Sequence, residues 1–424
     1  MKKNYYPELD ETLYTQVLEN GLTVAVVPRK GFTKKLAYFV TDYGSIHTDF
    51  LLEGKEYHAP AGVAHYLEHK MFDLPGDRDV SAEFAAMGAM TNAFTSYDMT
   101  AYYFSTTENF EGCLRLLLEF VSTPYFTDES VEKERGIIDQ EISMNLDSPD
   151  SQVFDSLMES LFHKHPIRVP ILGTSETIRE ITPEVLYNCH RAFYTPGNML
   201  LCVIGDVEPE SVADIAREIL GTEHQEPGIK IQNWPEPMHS VEAEVTANME
   251  VAMPMFNLAF KCEPVDRGAE GIRTEMVADL AAEALFGESS ELYLKLYEEG
   301  LIDSSFGGGF ETIDGCAMLM CSGDSDNAPA VREAILRQAA KIAEEGIPEK
   351  NFLRMKRSAL GRRIRSLDSF DATCFRVCAY HFSGFDYFRF PEVYRSIEAA
   401  EIQSFLHRVV KEERCSLSVI NPIE

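Results

Sequence analysis

The sequence predicts an α+β fold of two homologous domains, each an antiparallel sheet packed by helices. Three observations carry that expectation. The chain has 424 residues, 45% of them hydrophobic, which is ample for a large core and too long for one ordinary domain. The order of predicted strands and helices recurs on either side of a Pro- and Gly-bearing segment. The distance from Ile181 to Ile204 equals that from Ile397 to Ile420, and each interval runs helix, short loop, apolar strand.

Taken in order, Leu22 to Val27 reads as a strand and Leu36 to Val40 as a second one after a Gly-containing turn. A helix around residues 65–69 follows, then strands near Asn92 and from Ala101 to Phe104. Helices are expected near 109–122, 128–147, 151–163 and 183–194, before the apolar strand from Met199 to Gly205. Gly221 to Pro237 has Pro, Gly and Glu, little apolar periodicity and the only tryptophan, Trp234. It reads as a linker, with domains at 1–222 and 238–424 around residues 223–237. Beyond it come a strand at 255–261, a helix at 269–286, strands around 305–321, a helix at 328–345, and two long helices starting near 349 and 370.

The chemistry concentrates in His65-Tyr66-Leu67-Glu68-His69. On a helix, His65 and His69 project from one face a turn apart, at a separation that lets both imidazoles reach one zinc ion. Glu68 then stands beside the metal, where a carboxylate can take a proton from activated water and pass it to a leaving amine. This is the chemistry of a metallopeptidase, and it needs a third ligand. Residues 131–142 read as a helix with Ile137, Ile138, Ile142 and Met144 on its apolar face. Glu134 and Glu141 lie seven apart on one stripe, so one could reach the metal while the other supports it.

Three segments together resemble a known family: Gly62 to Phe72, Asn92 to Phe104 (Asn-Ala-Phe-Thr-Ser-Tyr-Asp-Met-Thr-Ala-Tyr-Tyr-Phe), and Glu134 to Glu141. They look like the insulinase/pitrilysin family of zinc peptidases, the inverzincin group that includes mitochondrial processing peptidase. The motifs match along the first 205 residues or so; the second half matches in layout. The resemblance implies Zn2+ held by His65, His69 and Glu141, with Glu68 as general base and Glu134 as supporting carboxylate. It makes Asn92, Ala93 and Phe94 an edge strand that pairs with an extended peptide substrate. The interval from His69 to Glu141 is a few residues shorter than is usual in the family, which a shorter loop explains.

Family members enclose substrate in a chamber of four such domains, so the resemblance makes this chain one half of a clamshell and implies a second subunit. Related two-part peptidases carry an Arg and a Tyr in a stretch resembling R-x-x-x-G-L-x-Y. The corresponding Lys295 to Asp303 has neither in place. The expected partner is therefore a homologous subunit with that pair, in a heterodimer, with a homodimer as the lesser alternative. The resemblance is to small bacterial members, which implies a cytoplasmic protein. Three functions follow: a zinc endopeptidase for short unstructured peptides, a non-hydrolytic assembly or binding subunit, or a dedicated processing protease for one peptide.

Aligning Phe72 with Phe286 puts Asp279, Ala282 and Glu283 where the first half has His65, Glu68 and His69, so the second repeat is expected to lack a metal site. Phe306-Gly307-Gly308-Gly309-Phe310 reads either as a flexible substrate-contacting loop or as a bulge or close backbone approach within a strand. Tyr297 is read mainly as a packing residue. A basic helix containing Arg354, Lys356, Arg357, Arg362, Arg363 and Arg365 is either a solvated face or a docking face.

The formal net charge is −31, which argues against nucleic acid or an anionic membrane as partner. It leaves open whether the charge steers basic or neutral peptides or serves solubility. The lysines near the start have no apolar run behind them, and no stretch approaches membrane-spanning length. Nine cysteines without a CxxC fit reduced core thiols.

Overall fold

The computed structural model describes residues 1–76 and 78–423. The first half opens with β1 (Lys2–Tyr6), β2 (Glu11–Val17), β3 (Thr23–Pro28), β4 (Lys35–Thr41) and a small hairpin, β5 (Asp49–Leu52) and β6 (Lys55–His58). Then come α1 (Val63–Lys70), the short β7 (Asp73–Leu74) and β8 (Arg78–Asp79), α2 (Val80–Ala86), β9 (Ala89–Thr95) and β10 (Thr100–Thr106). Helices α3 (Phe110–Ser122), α4 (Asp128–Leu146), α5 (Pro149–Leu161) and α6 (Pro183–Phe193) precede β11 (Met199–Gly205) and α7 (Pro209–Leu220). The second half contains β12 (Ile229–Lys230), β13 (Glu244–Met249), β14 (Met255–Cys262), α8 (Ala269–Phe286), α9 (Glu291–Glu298), β15 (Gly307–Ile313) and β16 (Cys316–Asp324). It closes with α10 (Ala328–Glu345), α11 (Glu349–Arg365), α12 (Phe370–Phe382), α13 (Phe390–Ser396), α14 (Ala399–Val409) and β17 (Cys415–Pro422).

The duplication is visible in strand order. The first sheet runs β1-β2-β3-β11-β4-β10-β9 and the second β13-β17-β14-β16-β15. In each, one parallel pair, β3 with β11 or β13 with β17, adjoins a wholly antiparallel remainder. Ile204 pairs with Leu36 and Ile420 with Met255, so the two isoleucines at equal sequence distance occupy equivalent positions. The first sheet adds β1 and β2, which the sequence pattern did not reveal: their polar, half-exposed residues lack an apolar alternation.

One face of the first sheet packs on its own helices through Leu114, Leu117, Leu186, Phe193, Val212 and Ile215. Its opposite face, with Ala25, Tyr38, Leu200 and Cys202, is covered by the other half, including Cys374 and Val377 of α12. The reciprocal cover comes from α5, whose Leu157, Met158 and Leu161, with Phe162 just after it, pack on Ala259, Cys316 and Met318 of the second sheet. Helices α5 and α12 hold equivalent places in their repeats, so each half lends the same helix to the other.

The segment read as a linker is pinned in place. Ile229 and Lys230 pair with Leu51 and Phe50. Backbone N–H groups of His163 and His165 donate to the Glu236 carboxylate at 2.9 and 2.7 Å, and Lys261 Nζ donates to it at 3.1 Å. Trp234 packs edge-on against His165. The Gly307–Gly309 run lies in β15, and a Cβ on Gly308 would come within 2.4 Å of the Phe286 ring, so close backbone approach accounts for that glycine. All nine cysteines are free and buried. Among the described residues no helix is long and apolar enough to cross a membrane.

Candidate metal centre

Helix α1 begins at Gly62, which adopts φ +89°, a left-handed conformation that glycine reaches without a Cβ penalty. A Cβ there would lie 2.4 Å from Leu172 O, while one on Gly173 would lie 2.5 Å from Ala61 O. These facing glycines let the 172–173 loop close over the start of the helix. Val63, Ala64, Tyr66 and Leu67 are buried, and the Tyr66 hydroxyl donates to Val131 O, which ties α1 to α4. His65, Glu68 and His69 are thereby held on a helix with little freedom to move.

Helix α4 is started by a reciprocal cap between Thr127 and Ser130. Its buried stripe is Val131, Ile138 and Ile142; Ile137 and Met144, expected on the apolar face, are exposed. The physical reason is register. The face that meets α1 passes through 131, 138 and 142 with Glu134 and Glu141 beside it, and 137 and 144 fall on the neighbouring stripe, turned to solvent.

The two helices bring His65, His69 and Glu141 together, with one ligand atom from each within 4.8 Å of the others. Glu141 Oε2 lies 3.7 Å from the Nε2 of His65 and 3.7 Å from that of His69. His69 Nδ1 donates to Glu134 Oε1 at 2.8 Å, which leaves the Nε2 lone pair toward Glu141. Two imidazoles and one carboxylate, with a fourth direction open, match the donor set of a catalytic zinc site. Glu141 is 44% exposed, so the open side faces solvent. His65 Nδ1 is buried and has no hydrogen-bond partner among the described residues.

The electrostatics follow from burial and charge. Burial, reinforced by neighbouring His69, pulls His65 down to about 3, which keeps its imidazole neutral and able to ligate. His69 is also buried, but the Glu134 hydrogen bond and the surrounding carboxylates outweigh burial and raise it. Glu134 shows the converse: burial is outweighed by His69, and its carboxyl is held below the usual range. Burial raises Glu68.

Strand β9 ends its sheet, so its outer edge is unpaired among the described residues. Ala93 faces the helix side of the sheet, in the core that contains α1. Phe94 faces the other way, against Tyr38, Tyr103 and Phe375. Of the segment Asn92 to Phe94, therefore, Phe94 keeps its side chain away from the metal ligands, and its share in any substrate contact falls to the backbone. The Ala93 N–H is bonded to Asn92 Oδ1 at 2.9 Å. Sequence reasoning missed Thr95, whose hydroxyl meets Glu68 across the gap between helix and strand. Tyr297 is exposed and stacks on Tyr293.

In the second half, α8 and α11 take the places of α1 and α4, and arginines of α11 pair with the acidic residues of α8. Arg363 Nη2 is 3.3 Å from Asp279 Oδ2 and 3.8 Å from Glu275 Oε1, while Arg362 Nη2 is 2.7 Å from Glu283 Oε2. His65, His69 and Glu141 form the one group of metal-binding type found among the described residues. The basic helix thus spends Arg362 and Arg363 on its own domain, and Lys356 donates to Arg395 O and Ile397 O.

Such a fold, with its cluster borne on one repeat only, defines a class of two-domain peptidase. Residues 54–175 match the family described as Insulinase (Peptidase family M16), and residues 180–359 match Peptidase M16 inactive domain. The chain belongs to peptidase family M16, the insulinase family. It is 37% identical to "Uncharacterized zinc protease YmfH" of Bacillus subtilis, over 98% of each chain. The structure of an M16-like peptidase from Alicyclobacillus acidocaldarius superposes with TM-score 0.93 at 32% identity, covering 97% of this chain and 99% of that one. A protease from Helicobacter pylori shares the fold at TM-score 0.82 and 18% identity, over 97% and 99% of the chains.

Proposed function

We propose that the chain is a zinc-dependent endopeptidase that hydrolyses short unstructured peptides in an enclosed chamber completed by a second, homologous subunit. The observation that carries this reading is the convergence of His65, His69 and Glu141 from two helices, with Glu68 one residue from a ligand. Zinc would be held by those three side chains; the chemistry it supplies when bound is Lewis acidity toward water and toward a carbonyl oxygen. Glu68 takes the proton of the attacking water and returns it to the leaving amine. Glu134 fixes the tautomer and orientation of His69. The free edge of β9 orients the peptide: an incoming backbone carbonyl displaces Asn92 Oδ1 from the Ala93 N–H, adding a strand to the sheet.

The rival reading is a non-hydrolytic assembly or binding subunit, and such a subunit has no need of Glu68. The test is therefore E68Q beside H65A. E68Q is expected to keep about one zinc per chain and to lose at least about a hundredfold in peptide hydrolysis, the scale of general-base removal. H65A is expected to lose the metal. An E68Q protein as active as its parent refutes the assignment.

A further inference from the structure

Strand β9 contributes more than an open edge. Thr95, its last residue, places Oγ1 2.6 Å from Glu68 Oε2. Among the described residues, this is the one hydrogen bond made by the Glu68 side chain. An ionised carboxylate only accepts, so the threonine hydroxyl donates. Its neighbour Thr100 does not compete for Glu68. Thr100 Oγ1 donates to Tyr43 O at 2.9 Å and stands 3.5 Å from Thr95 Oγ1. The single proton of Thr95 is thus committed to Glu68, and Thr100 is held in place beneath it by the backbone of another segment.

We infer that Thr95 is the positioning residue of the proposed general base: it pins one carboxylate oxygen of Glu68 and thereby fixes how the other is offered to the attacking water. The inference rests on the reading of Glu68 given above. A glutamate side chain turns about several bonds, and a base works only within hydrogen-bond reach of the proton it removes. The contact also survives the proton transfer. The proton lands on the oxygen that Thr95 does not touch, so Oε2 becomes the carbonyl oxygen of the acid and still accepts from the hydroxyl, and Glu68 keeps one orientation on both sides of the step.

The backbone pairing of Thr95 with Thr100 holds the strand whatever side chain is present, and valine preserves the β-branched shape. T95V therefore removes the hydroxyl and little else, and T95S restores it. The assay uses the zinc-loaded protein, with any partner it copurifies with, and a quenched fluorogenic decapeptide. T95V should lose about ten- to a hundredfold in kcat, the scale of a misplaced catalytic group, with KM within about twofold. T95S should recover to within about threefold, and both should hold about one zinc per chain. A crystal structure of metal-free T95V should show the Glu68 carboxylate turned from its present orientation.

Parental kcat in T95V overturns the inference. So does a loss seen in KM alone, a T95S as impaired as T95V, or an unmoved Glu68. If T95V does not fold, T95A is read by the same measures. E68Q separates the two levels: an active E68Q sinks the base assignment itself, whereas an inactive E68Q with a fully active T95V sinks only the role of Thr95.

Discussion

Glu134 touches no proposed reacting atom, yet it decides which nitrogen His69 presents. Its carboxylate accepts the Nδ1 proton and is mostly buried, so no water readily replaces it. E134A should weaken zinc binding about ten- to a hundredfold, the usual cost of removing such a support, with the fold intact. Competition against a calibrated chelator measures this, and unchanged affinity would show the contact to be incidental. At this scale the sequence was readable where function lies along a helix. His65 and His69 are a turn apart and Glu134 and Glu141 two turns apart, so periodicity alone put each pair on one face. Thr95 was unreadable, because its contact with Glu68 joins a strand end to a helix face across intervening chain.

Helix α6 shows how an element carries pH dependence. Thr182 caps it and Pro183 fills its first turn, where a missing N–H costs nothing. In its last turn His190 is buried, Nε2–H donates to Val121 O at 3.2 Å, and burial pulls the imidazole down to about 4. His47, between β4 and β5, is likewise brought to about 4 by burial and by the charge of Lys230. Both must be neutral in the folded protein, whereas an unfolded chain protonates them near 6.5. The stability these two histidines contribute is therefore complete above about pH 6.5 and falls as pH drops from there to about 4. The loss approaches about 3 kcal/mol per histidine, at 1.36 kcal/mol for each pH unit between about 6.5 and about 4. Urea unfolding at pH 7 and pH 4.5 measures the fall, and H190Q should show a smaller one; equal falls would assign it elsewhere. Among the elements, α7 escaped the reading despite Val212, Ile215 and Ile219 at helical spacing. The recurrence ends with β11 and β17, so the repeat offered no second copy from which to recognise it.

On the proposed reading, two features of the whole molecule call for a second subunit: the cluster opens to solvent at Glu141, and Lys295 to Asp303 lacks the Arg and Tyr that the family resemblance leads one to expect. Copurification from the native cell should therefore yield a homologous chain that carries them, with the isolated chain weak in hydrolysis. A monomer with full activity would end that expectation. Duplication could be read from Ile204 and Ile420, but the lending of α5 and α12 between halves could not, since both helices show ordinary amphipathic patterns. What they form is the geometry of a domain-swapped pair whose copies residues 221–243 have joined into one polypeptide. Joining relieves the second copy of any duty to keep the ligands. Arg363 among Asp279 and Glu275 is that freedom in use, a covalently tethered cation that brings one helix pair together without drawing on the cell's supply of metal.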